Sequence, residues 1–291
     1  MLGTERVLRE LHEALEGHEF SSKEELDAFI AALNRRSMKP SPKTKASRSR
    51  KHQAQDLAYQ AMETHDPIQA VRLCERAIRL DPHCVDALVH LTRLSCDDRD
   101  EIIEHIKRVV DIGERDLGGA DYFSVNAGHF WGLLETRPYM RAKAYLAQLL
   151  VEAGKPDEAI DHYEELLRFN PNDNQGLRYP LMGLYLLADN LEGVRRLFRE
   201  FEDEGSAVFA WSRVLERHLS GDEGGAAKAL RAARQCNKHV EKYLTGRKAM
   251  SRELPPYYGF GDENEAIVCA ASIGKAWRQH PQSVDWLKRA R

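Results

Sequence analysis

Nothing in the chain approaches the roughly 18–20 consecutive apolar residues that a membrane helix needs, so no membrane partner is expected. The phosphate-cradling G-x-x-x-x-G-K-[ST], the dinucleotide G-x-G-x-x-G, the G-x-S-x-G elbow and the H-E-x-x-H metal helix are all missing. Their absence removes the commonest sequence-legible enzyme chemistries. Cysteine is scarce as well. Cys74, Cys84, Cys96, Cys236 and Cys269 are odd in number and scattered, with no Cys-x-x-Cys pair. That fits free thiols in a reducing cytosol, and not a disulfide framework. His83, Cys84, His90 and Cys96 crowd together but match no standard zinc spacing, so neither metal nor cofactor is expected. A charge imbalance is also lacking. The 43 Lys and Arg against 46 Asp and Glu leave −3, too little for a global pull on nucleic acid or anionic lipid. The first 17 residues are too charged for a signal segment, and a cytoplasmic location is expected.

What the sequence has is a repeat. Gln53–Asp81 and Arg141–Asn170 superimpose, each with two stripes of small or apolar residues, a break between them, and a closing proline, Pro82 or Pro171. On a 34-residue numbering, Ala58 and Ala147 fall at position 8, Ala70 and Ala159 at 20, Cys74 and Tyr163 at 24, and Ala77 and Leu166 at 27. This is the tetratricopeptide pattern, a helix-turn-helix that buries its apolar face only by stacking on copies of itself. The expected fold is all-α, a right-handed superhelix or α-solenoid.

Three segments follow from composition. Residues 1–34 read as an acidic helical hairpin. Val7, Leu8, Leu11, Ala14 and Leu15 share one face, and Ser22 with Glu25 makes a capping box. Residues 35–51 carry eight basic residues and no acid, with four serines and two prolines. So apolar-poor a stretch cannot repay its ordering entropy, and it reads as a disordered linker able to fold back onto the acidic hairpin. Residues 52–291 read as the solenoid. Pro82 and Pro171 stand 89 residues apart, 21 more than two repeat units, and glycine and aromatic content places the excess at 113–137. Residues 263–290 read as capping helices.

Two candidate sites emerge. The concave face of such repeats is lined by positions 2, 5, 9 and 12 of each first helix. Here these include Gln55 and Tyr59, then Arg93, then Arg141 and Gln148, then Gln175, Arg178 and Tyr185. This cationic, hydrogen-bonding lining suits a carboxylate or an acidic peptide; a solvated face with arginine stems lying on neighbours is the alternative. The second candidate is the run from Gly128 to Arg141. His129, Trp131, Glu135 and Arg137 form either a ligand site or an aromatic plug with an Arg–Glu pair holding the insertion in place. Proton exchange between His129 and Glu135 would require that they share an open cleft.

GHFWGLLETRPYMRA, AGKPDEAIDHYEELLRFNPNDNQGLRY, YLTGRK and LPPYYGFG together resemble the bacterial tetratricopeptide proteins grouped with the suppression-of-tumorigenicity family, over roughly Ala54 to Trp286. The resemblance implies a cytosolic repeat protein without a known reaction and supplies no catalytic residue. The expected function is a non-enzymatic scaffold binding a protein or peptide partner. The alternative is a nucleic-acid or ribosome-associated adaptor that contacts phosphates through residues 35–51.

Overall fold

The computed structural model describes residues 2–15, 20–35 and 49–290. Every regular element among them is helical. The chain divides into two compact units, Met1–Leu149 and Leu150–Arg291.

In the first unit, α1 (Leu2–Leu15) and α2 (Lys23–Arg35) precede the hairpin α3 (Arg50–Glu63) and α4 (Pro67–Leu80). The start of α3 lies inside the stretch read as a linker. Ser49 caps it by accepting from the His52 amide, and Lys51 bonds Asp116 at 2.8 Å. Residues 36–48, most of that linker, lie outside the described residues. Asp66 caps α4 with Pro67 in its first turn, where proline's missing N–H costs nothing. Ala54, Leu57, Ala58 and Ala61 of α3 pack with Leu73, Cys74 and Ala77 of α4 and with Cys84 and Ala87. The small residues at positions 8, 20 and 27 are what let the two helices approach closely. Next come α5 (Val85–Ser95) and α6 (Arg99–Leu117).

The 113–137 insertion is largely helical. The helix α6 runs through Gly113 to Leu117 and is closed by Gly118 in the left-handed region, at φ 110°. A further helix, α7 (Gly119–Asn126), and two single 3-10 turns lead into α8 (Arg137–Glu152). Gly113 does not break its helix. A Cβ there would stand 3.1 Å from the Val85 methyl and 3.3 Å from the Tyr139 ring, so glycine serves close packing. Phe130 is fully buried edge-on against Phe123, which in turn meets Tyr139, with centroids 5.0 and 4.9 Å apart. Thr136 locks the turn by donating to the Phe130 and Leu133 carbonyls.

The second unit takes up the end of α8 and continues with α9 (Pro156–Phe169), α10 (Arg178–Leu187), α11 (Leu191–Glu200), α12 (Ala207–Leu219) and α13 (Glu223–Cys236). The repeat positions are again buried, with Ala159, Tyr163 and Leu166 on α9 and Ala226, Leu230 and Ala233 on α13. A short α14 (Val240–Leu244), then α15 (Glu263–Gln279) and α16 (Pro281–Arg289), end the chain. Glu265 of α15 is buried, accepting from the Ala207 and Gly261 amides and the Asn237 side chain. Between α14 and α15 the proline-aromatic loop leaves Leu254, Tyr257, Tyr258 and Phe260 exposed. Among the described residues no helix is long and apolar enough to cross a membrane.

Candidate functional site

Three of the lining residues of unit 1, Gln55, Tyr59 and Arg141, meet around one guanidinium. Arg141 stands at position 2 of the third hairpin, one turn into α8. Tyr59 and Gln55 face it from α3, and Asp86 from the first turn of α5. Arg141 donates to Asp86 through Nε at 3.1 Å and again through Nη2. It also donates to Glu5 of α1, through Nη1 at 2.8 Å and Nη2 at 3.2 Å. Both carboxylates are buried, Glu5 at 1% exposed and Asp86 at 2%. Gln55 donates its amide to Asp86, and the Tyr59 hydroxyl donates to Glu5. Arg9 donates to the same hydroxyl at 2.9 Å and lies over the Tyr59 ring at 5.1 Å. Arg137 brings a second guanidinium within 3.8 Å of Glu5.

These charges set one another. Burial works against the charged Arg141, yet Asp86 and Glu5 more than offset it and hold the guanidinium firmly protonated. Burial pushes the Tyr59 hydroxyl well above its ordinary value, and Glu5 adds to the rise, so it stays a donor. Within the cluster, Arg141 and Tyr59 thus act as donors to the Glu5 carboxylate.

Other candidates lie elsewhere. Arg93 is exposed and stacks over Tyr145 at 5.1 Å, and Gln148 is exposed. In unit 2, Arg178 is held by Asp173 at 2.9 Å and Glu204 at 2.7 Å and lies over the Tyr179 and Phe201 rings. Gln175 is half-buried nearby in sequence. The Tyr185 hydroxyl meets Glu164 and Arg196 beside a cleft of about 840 Å³ lined also by Arg168, Pro171 and Phe201.

The insertion residues part company. Arg137 donates to the Trp131 carbonyl at 3.0 and 2.8 Å and stacks on the Trp131 ring at 4.6 Å. Within the insertion its partner is thus Trp131, where the sequence suggested Glu135. Glu135 instead accepts from the Tyr122 hydroxyl at 3.1 Å, and Tyr122 rises to about 12, first through burial and then through Glu135. His129 is exposed and does not line the cleft of about 440 Å³ that Glu135 shares with Arg9, Gln55, His83 and Asp116. The open His129–Glu135 cleft that acid–base chemistry would need is not formed.

The crowded histidines and cysteines also separate. His83 pairs with Asp116, and the His90 ring meets the Ala61 carbonyl. Cys96 comes together with Glu101 and His105 of α6, their donor atoms all within 4.8 Å of one another. The Cys96 Sγ to His105 Nδ1 distance of 3.7 Å is close to the ~3.6 Å that tetrahedral zinc bond lengths impose. Glu5, Asp86 and Arg9 went unmarked in the sequence reading because each looked like one more solvated charge. The only available signal was the acidic excess of the N-terminal hairpin.

A family profile described as "Tetratricopeptide repeat" matches residues 140–179. It begins at Met140, position 1 when Ala147 is numbered 8. Residues 140–179 are thus a tetratricopeptide repeat within an all-α chain. Among solved structures, the chain is similar to that titled "Crystal structure of YrrB: a TPR protein with an unusual peptide-binding site". Identity is 14%, with 72% of this chain and 91% of that chain covered, and the TM-score is 0.40. Comparison with curated proteins gives no match. Tetratricopeptide repeats are typically non-catalytic protein-binding scaffolds.

Proposed function

We propose that this protein is a non-enzymatic interaction scaffold whose unit 1 groove captures a carboxylate-bearing segment of a protein partner. One observation carries the reading. Arg141, Tyr59 and Arg137 converge on a single carboxylate oxygen pair, in the position where tetratricopeptide repeats present their ligand-binding face. A bidentate guanidinium with a hydroxyl donor recognises a carboxylate by geometry as well as charge. The other lining residues, Arg93 and Gln148 in unit 1 and Gln175, Arg178 and Tyr185 in unit 2, extend the candidate surface within each unit. The resemblance to the suppression-of-tumorigenicity proteins agrees with a scaffold and adds no reaction.

The test is affinity capture with the wild-type chain, Arg141→Glu and Arg178→Glu, each first shown by circular dichroism to keep its helix content. A partner retained by wild type and lost on Arg141→Glu is expected. Identical partner sets for wild type and both variants would refute the reading.

A further inference from the structure

The carboxylate in the unit 1 groove belongs to the chain's own first helix, and α1 sits there in an unusual way. A helix that belongs to a core buries its apolar stripe. The stripe of α1 stays partly in water, with Val7 42% and Leu8 38% exposed and Leu11 and Leu15 only half-buried. Among its described side chains, what α1 buries is polar, Glu5 at 1% and Arg9 at 8%. Another polar anchor, Arg6 to Glu63 at 2.9 Å, leaves the two side chains 34% and 44% exposed and contributes little. The fit is also incomplete, because Arg9 Nη1 is buried without a hydrogen-bond partner. Among its described side chains, α1 is thus anchored by a buried carboxylate in a cradle built by α3 and α8, with an arginine four residues on donating to the Tyr59 hydroxyl and resting over its ring.

We propose that the Arg141–Tyr59 cradle is a receptor site for an acidic amphipathic helix, that α1 is its resident occupant in cis, and that a partner helix presenting glutamate with arginine four residues later displaces it. This rests on the carboxylate-binding reading of the groove and names the class of partner. Glu and Arg at i and i+4 share one helix face, so the partner needs only that pair and no long apolar stripe. A covalently tethered occupant acts at an effective concentration that can reach the millimolar range. A micromolar competitor therefore sees few empty cradles, and its apparent affinity falls by the vacant fraction.

The experiment uses the full chain and a fluorescent peptide copying residues 1–20. Anisotropy titrations compare wild type, Glu5→Gln and the double variant Glu5→Gln/Arg141→Ala. Weakening the cis occupant is expected to tighten peptide binding at least about tenfold, and removing Arg141 to abolish that gain. A Glu5→Gln peptide is expected to bind at least about tenfold more weakly than the native sequence. Equal binding by wild type and Glu5→Gln, or by the two peptides, overturns the proposal.

Hydrogen exchange on the wild-type chain provides an arm that needs no variant. Amides of α1 are expected to exchange faster than those of α8, and faster again with excess peptide. Amides of α1 protected as strongly as those of α8, and unchanged by peptide, overturn the proposal. Should Arg141→Glu lose a partner in affinity capture while the peptide never displaces α1, the scaffold reading stands and the cis-occupant proposal falls.

Discussion

Replacing Arg141 with methionine tests the central cluster directly. Methionine approximates the arginine stem but leaves Glu5 and Asp86, 1% and 2% exposed, facing each other without their shared cation. Tyr59 still donates to Glu5 and Gln55 to Asp86, so the hydrogen bonds are only partly lost. Removing one partner from a buried ion pair costs about 3–5 kcal/mol, because the surviving charge stays desolvated. The Arg141 side chain is 24% exposed, which admits water and points to the lower end, about 3 kcal/mol. For a unit of Met1–Leu149, at about 3 °C per kcal/mol, that becomes a fall of about 10 °C in the melting temperature. Scanning calorimetry and urea unfolding measure it. The triple variant Arg141→Met/Glu5→Gln/Asp86→Asn removes the three charges of the bridge and is expected to recover part of the loss, since replacing a buried ionic triad is often near neutral while Arg137, 3.8 Å from Glu5, keeps its charge. A loss under about 1 kcal/mol for the single variant, or a triple variant no more stable than the single, would refute the reasoning.

Three further outcomes are expected. Gly183→Ala puts a Cβ 2.1 Å from the Ser272 carbonyl oxygen, where backbone of α10 meets backbone of α15, and urea unfolding should show unit 2 destabilised by about 1–3 kcal/mol; an unchanged midpoint would show that the two helices can part freely. Hydrogen bonds from Lys242, Lys248 and Tyr243 hold Glu263 down to about 2 from 4.5. Its stabilisation is therefore fully present above pH 4.5 and lost as pH falls toward 2, so the stability gap between wild type and Glu263→Gln should narrow on acidification from pH 5 to 3; a gap that widens contradicts the assignment. Cys74, Cys84 and Cys269 are buried, with burial raising the first two to about 11 and 12 and the third well above its usual range. A thiol reagent should modify only Cys96 and Cys236 in the native chain and all five after denaturation, and fast native labelling of Cys269 would show that α15 opens.

The parts of the fold legible in the sequence are those fixed by local packing. Alanines at repeat positions 8, 20 and 27 have one physical use, close helix approach, and Ala58, Ala70 and Ala77 are buried accordingly. Local packing does not explain Gly113. Glycine content assigns it to the 113–137 insertion, but its contact with Val85 and Tyr139 is set by residues far along the chain and leaves no local trace. Nor does local pattern give the face of α1 that is buried. Apolar periodicity picked Val7 and Leu8, while the structure buries Glu5 and Arg9, because a desolvated carboxylate is tolerated only where a cation meets it, and here that cation is 136 residues away. The groove rule names Tyr59 and Arg141, which the structure brings together around Glu5 of the same chain, but it describes a cradle and cannot say what lies in it. The acidic excess of residues 1–34 was the clue. The basic run at 35–51 is adjacent in the chain and carries the larger charge, and most of it lies outside the described residues. Charge count alone ranks pairing with it first. For Glu5 desolvation favours Arg141, since a guanidinium with two donors in a buried groove binds a carboxylate more strongly than solvated lysines and arginines do.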